Sequence, residues 1–241
     1  MSKYNYNKDY FKKIDTSEKA YWLGFLYADG CITRFYKGDV LRSMSLEVTL
    51  KDDDCEHLIK FNNALNSNVP IQHRIINKKY KADRLVINCT SMCKDLINLG
   101  CLPSKSLILE FPNENIVPKE FIRDFIRGYF DGDGGVSYTE GEYYHKARSK
   151  KYKQYHYRCY FCGNGAFLTM LKDILNSQGI KTSDLKEDKR SNAVNIYIHG
   201  KDNIEKFKEY LYTDGCVNLS RKLDKFIFIF NDKSLCINRQ S

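Results

Sequence analysis

The chain has 241 residues, with 39 Lys and Arg against 30 Asp and Glu, a formal charge of +9 and 42% apolar residues. That balance suits one large folded domain or two small ones, and it favours polyanionic partners because each neutralised phosphate releases condensed counterions. No run approaches the roughly 20 apolar residues of a membrane span, and the polar stretch from Met1 to Lys13 has no signal-peptide core. The nine cysteines form no disulfide framework, which implies reduced thiols and a protein that is not secreted. Cys159 and Cys162 have zinc-knuckle spacing, but no second such pair exists to complete a site.

In chain order, Thr16, Ser17 and Glu18 open a helix that carries WLGFLYADG at residues 22–30. Strands are expected near Cys31–Tyr36 and Met44–Leu50, a helix at Asp53–Leu65, strands near Ile71–Ile76 and Arg84–Thr90, and a short helix at Ser91–Leu99. Residues 101–117, broken by Pro103, Pro112 and Asn113, read as a linker between a first half at 1–100 and a second at 118–241, with part of it packed on the first half. Pro118, Lys119 and Glu120 then open a second helix with IRGYFDGDG at residues 126–134. Strands follow near Gly135–Thr139 and Tyr155–Cys162, then a helix at Gly165–Ser177. Strands near Ser183–Asp188 and Ala193–His199 and a helix at Lys201–Leu211 complete the series. The order is helix, two strands, helix, two strands, helix, twice over. This predicts an α/β (α+β) fold of two pseudo-symmetric α-β-β-α-β-β-α halves.

The repeat carries the chemistry. Gly24, Asp29 and Gly30 recur as Gly128, Asp133 and Gly134. Gly24 and Ala28 share one helix face, as do Gly128 and Gly132, and such bare faces let two helices approach closely. Packed in the same direction, the helices would deliver both aspartates to one end. There the exposed carbonyls add partial negative charge. Such a cluster of hard oxygens suits Mg2+, with Mn2+ as a substitute, and a divalent ion supplies what phosphodiester hydrolysis requires. Asp131 adds a carboxylate, but its counterpart is Tyr27, so symmetry disfavours it.

The paired segments resemble the two motifs of the LAGLIDADG homing endonucleases in their monomeric form, and the similarity in element order runs from about Ser17 to past Leu219. Trp22, Leu23, Phe25 and Arg127 depart from the motif's letters. The resemblance implies saddle-shaped antiparallel sheets astride the DNA major groove and motif helices at the interface between halves. It implies metal ligation by Asp29 and Asp133, with Gly30 and Gly134 beside them. It also implies a basic residue near the metals from each half, matched by position to Lys105 in LPSKSL and Lys222 in LSRKL. A hydrolase that cuts site-specific double-stranded DNA, associated with an intron and located in the cytoplasm or an organelle, is the expected function.

A sheet in a groove points alternate residues at base edges. In the first half this selects Ser45, Glu47 and Thr49, alternating with Met44, Leu46, Val48 and Leu50. Gln72 and Arg74, with Lys79, Lys81 and Arg84 near the turn, make a further groove-facing edge. The second half offers Arg158 and Tyr160, then Lys186, Lys189 and Arg190, with Asn195 and Tyr197 alternating against Val194, Ile196 and Ile198. The basic and tyrosine-rich insert Tyr143–Arg158, with Lys150 and Lys151, reads as an arm along the phosphate backbone. The five histidines form no close ligand pair and receive no role. The rival reading is a non-cleaving protein of the same fold, an intron maturase or regulator, with intron RNA as a partner. An intein domain is disfavoured by chain ends that lack splicing residues.

Overall fold

The computed structural model describes residues 3–77, 79–103, 108–188 and 193–231. Two four-stranded antiparallel sheets of identical topology organise it. The first half runs α1 (Ser17–Asp29), β1 (Gly30–Lys37), β2 (Val40–Lys51), α2 (Cys55–Ala64), β3 (Gln72–Ile76), β4 (Tyr80–Ile87) and α3 (Thr90–Asn98), with sheet order β1-β2-β4-β3. The second runs α4 (Ile122–Asp133), β5 (Gly134–His145), β6 (Lys150–Gly163), α5 (Gly165–Ser177), β7 (Lys186–Glu187), β8 (Val194–His199) and α6 (Lys201–Leu211), with order β5-β6-β8-β7. The duplicated α/β architecture read from the repeat is the one observed. None of its helices is long and apolar enough to cross a membrane among the described residues.

Local chemistry explains the helix ends. The Thr16 hydroxyl accepts from the backbone N–H of Lys19 at 3.2 Å and caps α1. At the far ends, Gly30 and Gly134 do not adopt the left-handed turn usual after a helix. Both are extended, with φ of −74° and −89°, and pass straight into β1 and β5. Glycine is needed there for room, since a Cβ would lie 2.6 Å from the carbonyl oxygen of Leu26 or of Phe130.

Four expectations shift. β4 begins four residues before the expected Arg84 and ends before Thr90, which opens α3. β7 shrinks to two residues. The insert is no separate arm: β5 and β6 pair continuously from Gly134↔Phe161 to Tyr143↔Tyr152 and beyond, so it is the far end of one long hairpin. A further helix, α7 (Ser220–Asn231), follows α6 and was not expected. It buries Lys222, Phe226 and Ile229, which share one helical face, and Phe228 reaches the Tyr138 ring of β5 at 5.4 Å. The segment between the halves touches both of them. The Cys101 thiol meets the Leu26 carbonyl of α1 at 3.5 Å, whereas Phe111 packs on Phe125 and Phe167 of the second half at 5.6 and 5.1 Å.

Candidate nucleic-acid interface and carboxylate pair

α1 and α4 cross along their glycines. A Cβ on Gly24 would strike the carbonyl of Phe125, and one on Gly128 would strike the carbonyl of Tyr21 and sit 2.7 Å from the Phe25 nitrogen. The contact is therefore backbone on backbone, as the bare faces imply. One turn further on, Gly132 lies against Ala28, and a Cβ there would be 3.3 Å from Oδ2 of Asp29. Asp29 is thus beside the residue that precedes Asp133, and the two motif aspartates share the end of one helix seam. Asp29 is half-buried and Asp133 exposed.

Lys222, 3% exposed, closes this end from α7. Its ammonium donates to the carbonyls of Phe130, Gly132 (3.1 Å) and Gly134 (2.6 Å), satisfying the last turn of α4. Burial pushes its pKa down to about 8, while Asp131, Asp29 and Asp133 pull the other way. The ammonium therefore sits within the field of both motif carboxylates. The Gly134 carbonyl is committed to Lys222. Lys105, the expected counterpart, lies outside the described residues.

Asp131, which symmetry disfavours as a ligand, turns inward. Its carboxylate accepts from the hydroxyls of Tyr21 (2.7 Å) and Tyr212 (2.6 Å) and from the backbone N–H of Leu219 (2.8 Å). Burial drives its pKa upward against Lys222 and those three hydrogen bonds. The pseudo-equivalent Tyr27 donates to the Leu99 carbonyl, so both positions anchor the chain that follows the last helix of the repeat in their own half. Arg127 is also buried. It holds the carbonyls of Val217 (2.9 Å) and Leu211 (3.0 Å), pairs with Asp124 at 2.7 Å and lies over the Tyr21 ring at 5.1 Å. Arg221 binds Asp54 of the first half through Nε (3.0 Å) and Nη2 (3.0 Å). Sequence reading missed the Arg221–Asp54 tie, because nothing local to either residue signals the other.

The strand registers sort the expected DNA contacts. On the first sheet Met44, Leu46 and Val48 are buried, and Ser45, Glu47 and Thr49 face the opposite side. Thr49, Arg84 and Gln72 are direct cross-strand neighbours, and Arg74 lies two residues along from Gln72. On this face Arg84 is ion-paired with Glu47, and Arg74 donates to Gln72 at 2.8 Å. Lys79 is exposed in the turn before β4. Lys81 is a correction: it pairs with Ile75 and is an odd number of residues from Arg84, so it points to the other side.

On the second sheet Cys159, Phe161, Ile196 and Ile198 are buried, and Arg158, Tyr160 and Tyr197 share the opposite face. There Arg158 and Lys186 lie over the Tyr197 ring at 5.2 and 5.7 Å, and Tyr160 covers Gly135. His199 pairs with Arg158 and stacks on Tyr197 at 5.8 Å. The same alternation that selects Tyr197 selects it, a signal that spacing among the histidines alone does not carry. Asn195 shares the face but is only 8% exposed, flanked by Cys162 and Lys186. Lys150 has the parity of Arg158, whereas Lys151 has the opposite parity and pairs with Glu142 at 2.8 Å. Lys189 and Arg190 lie outside the described residues.

Residues 120–212 match the family model described as a LAGLIDADG-like domain. No curated protein sequence matches the chain. Among solved structures, I-SmaMI bound to uncleaved DNA target in the presence of calcium ions is similar with a TM-score of 0.59 at 10% identity, over 90% of this chain and 92% of that one. The I-LtrWI LAGLIDADG homing endonuclease bound to target DNA gives 0.59 at 10% identity, over 95% and 93%. The LAGLIDADG meganuclease I-AabMI bound to uncleaved DNA gives 0.56 at 12%, over 89% and 90%. Residues 120–212 are therefore similar to a LAGLIDADG-like domain, and the chain has, across both halves, the fold of the LAGLIDADG homing endonucleases.

Proposed function

We propose that the chain is a site-specific endonuclease for double-stranded DNA. In this reading it acts as a monomer, and Asp29 and Asp133 hold a divalent cation, Mg2+ or in its place Mn2+. One arrangement carries the reading: two glycine-seamed helices end together, and each ends where a sheet with an open polar face begins. The donor set fits a hard cation, since two carboxylates stand at helix ends that already concentrate partial negative charge. A bound divalent ion would supply an activated water and neutralise the charge that gathers on a phosphodiester under attack.

The chain's own residues do the rest. Lys222 fixes the backbone on either side of Asp133 by holding the carbonyls of Gly132 and Gly134, and its charge balances the carboxylate pair. It is a positioning residue in this account, with its hydrogen bonds directed at backbone. Arg158, Tyr160, Lys186, Tyr197 and Lys150 on one sheet, with Ser45, Thr49, Gln72, Arg74 and Arg84 on the other, offer contacts to phosphates and base edges. The I-SmaMI, I-AabMI and I-LtrWI structures, described as bound to DNA, support the choice of partner.

The test is selection of cleaved sites from a genomic or random duplex library in Mg2+, followed by Asp29→Asn and Asp133→Asn on the selected site. Each substitution should abolish double-strand cleavage and leave binding in Ca2+ intact. Full cutting by either variant overturns the metal assignment. Binding without metal and without cleavage by the native chain would favour a regulator or intron maturase, and a strong preference for intron RNA would select the latter.

A further inference from the structure

The reverse side of the first sheet brings together three residues of different ligand chemistry. Cys55 opens α2, Asp83 lies in β4, and His73 sits directly opposite Asp83 on the edge strand β3. The Cys55 sulfur, a His73 ring nitrogen and an Asp83 oxygen all lie within 4.8 Å of one another. Nδ1 of His73 is 2.6 Å from Oδ1 of Asp83, and that carboxylate is 2% exposed. His73 has the opposite parity to Gln72 and Arg74, so the cluster is separated by the sheet from the face assigned to DNA.

We propose that Cys55, His73 and Asp83 form a Zn2+ site that ties the edge strand β3 to α2. One thiolate, one imidazole and one carboxylate are a donor set that Zn2+ accepts and that Mg2+, which avoids sulfur, does not. Atoms bound at about 2.0–2.3 Å around a tetrahedral ion lie roughly 3.3–3.8 Å apart. The three donors therefore reach that geometry by side-chain rotation, with the His73–Asp83 hydrogen bond opening by about 0.7 Å. The protons balance. The Cys55 thiol releases one proton to solvent, and the His73 ring gives up the Nδ1 proton that it shares with Asp83, binds metal at Nδ1 and carries its one remaining proton on Nε2. The His73 side chain is 78% exposed, so water fills the fourth position.

The consequence is mechanical. All five residues of β3 are exposed, and the strand pairs on one side only, with β4. A metal anchored behind His73 would fix the register of the segment that presents Gln72 and Arg74.

The full chain, stripped with chelator and held in excess Mg2+, should bind one equivalent of Co2+ with a thiolate-to-cobalt charge-transfer band that Zn2+ bleaches. Cys55→Ser should abolish the band. His73→Ala, an exposed change that leaves the fold intact, should weaken Co2+ binding by about 100-fold. Zn2+ should also slow amide exchange in β3. Co2+ binding without the band, or an unchanged band in Cys55→Ser, overturns the proposal. Neither result bears on Asp29 and Asp133, which offer no sulfur.

Discussion

The two halves share a backbone plan and differ in how they use it. Both sheets have the same strand order, and both motif helices end at an extended glycine that starts a sheet. Around α1 the packing is aromatic: Trp22 and Phe25 lie against His57, Phe61 packs on Trp22, and Nε2 of His57 is hydrogen-bonded with the Tyr21 hydroxyl at 3.1 Å. Around α4 aromatic contacts, such as Phe130 on Phe161 and Phe207, are joined by buried charge: Asp131 and Arg127 hold backbone groups of the segment between α6 and α7, and Lys222 holds the end of α4 itself. The open sheet faces differ as well. The first half spends its Arg84 on Glu47, while the second stacks Arg158 and Lys186 on Tyr197. The lesson is that symmetry is strict only where two backbones touch. Away from the seam, each half has acquired its own chemistry.

The largest effect should come from that seam. Gly128→Ala puts a Cβ into the Tyr21 carbonyl, and Gly24→Ala puts one into the Phe125 carbonyl. Both obstacles are backbone, so each change should cost about 3 kcal/mol or more, read as a lower urea midpoint. A marked inequality between the two would show that the seam is not symmetric. The aromatic surroundings of α1 are tested by acid. Burial, with Lys60 adding to it, lowers the His57 pKa from 6.5 to about 3. The unfolded chain binds that proton and the folded one does not, so His57 withdraws stability as pH drops below 6.5 and stops doing so only near 3. Its share is about 1.4 kcal/mol per pH unit, and His57→Phe should flatten the acid limb of the stability curve by that amount. An unchanged slope would mean that the native imidazole titrates normally. The smallest effect separates the groove faces. Arg158→Ala should weaken DNA binding by about 10-fold, and Arg84→Ala by less than about 3-fold, because Glu47 already claims the Arg84 charge. Equal losses in a binding titration would show that Arg84 leaves Glu47 on meeting DNA.

Much of this was legible in the residues. Gly24 and Gly128 showed where helices meet, and Met44, Leu46 and Val48 showed which face of β2 is buried, since period-two patterning survives any packing. Lys81 breaks that same parity with Arg84 and lies on the other face. The inward turn of Asp131 was foreshadowed only by its pairing with Tyr27. α7 had a readable apolar face, but no second copy in the first half drew attention to it. The tie of Arg221 to Asp54 joins residues 167 positions apart, and no local signal announces it.

By itself, the amino-acid order determined the duplication, the helix and strand periods and the pair of motif aspartates, because these follow from spacing along one element at a time. Only the tertiary structure decided which buried charges face which backbone groups, that Lys222 grips the end of α4, and that Cys55, His73 and Asp83 converge behind the first sheet. Those are meetings between elements distant in sequence. Their cause is the packing of whole faces, which no single segment encodes.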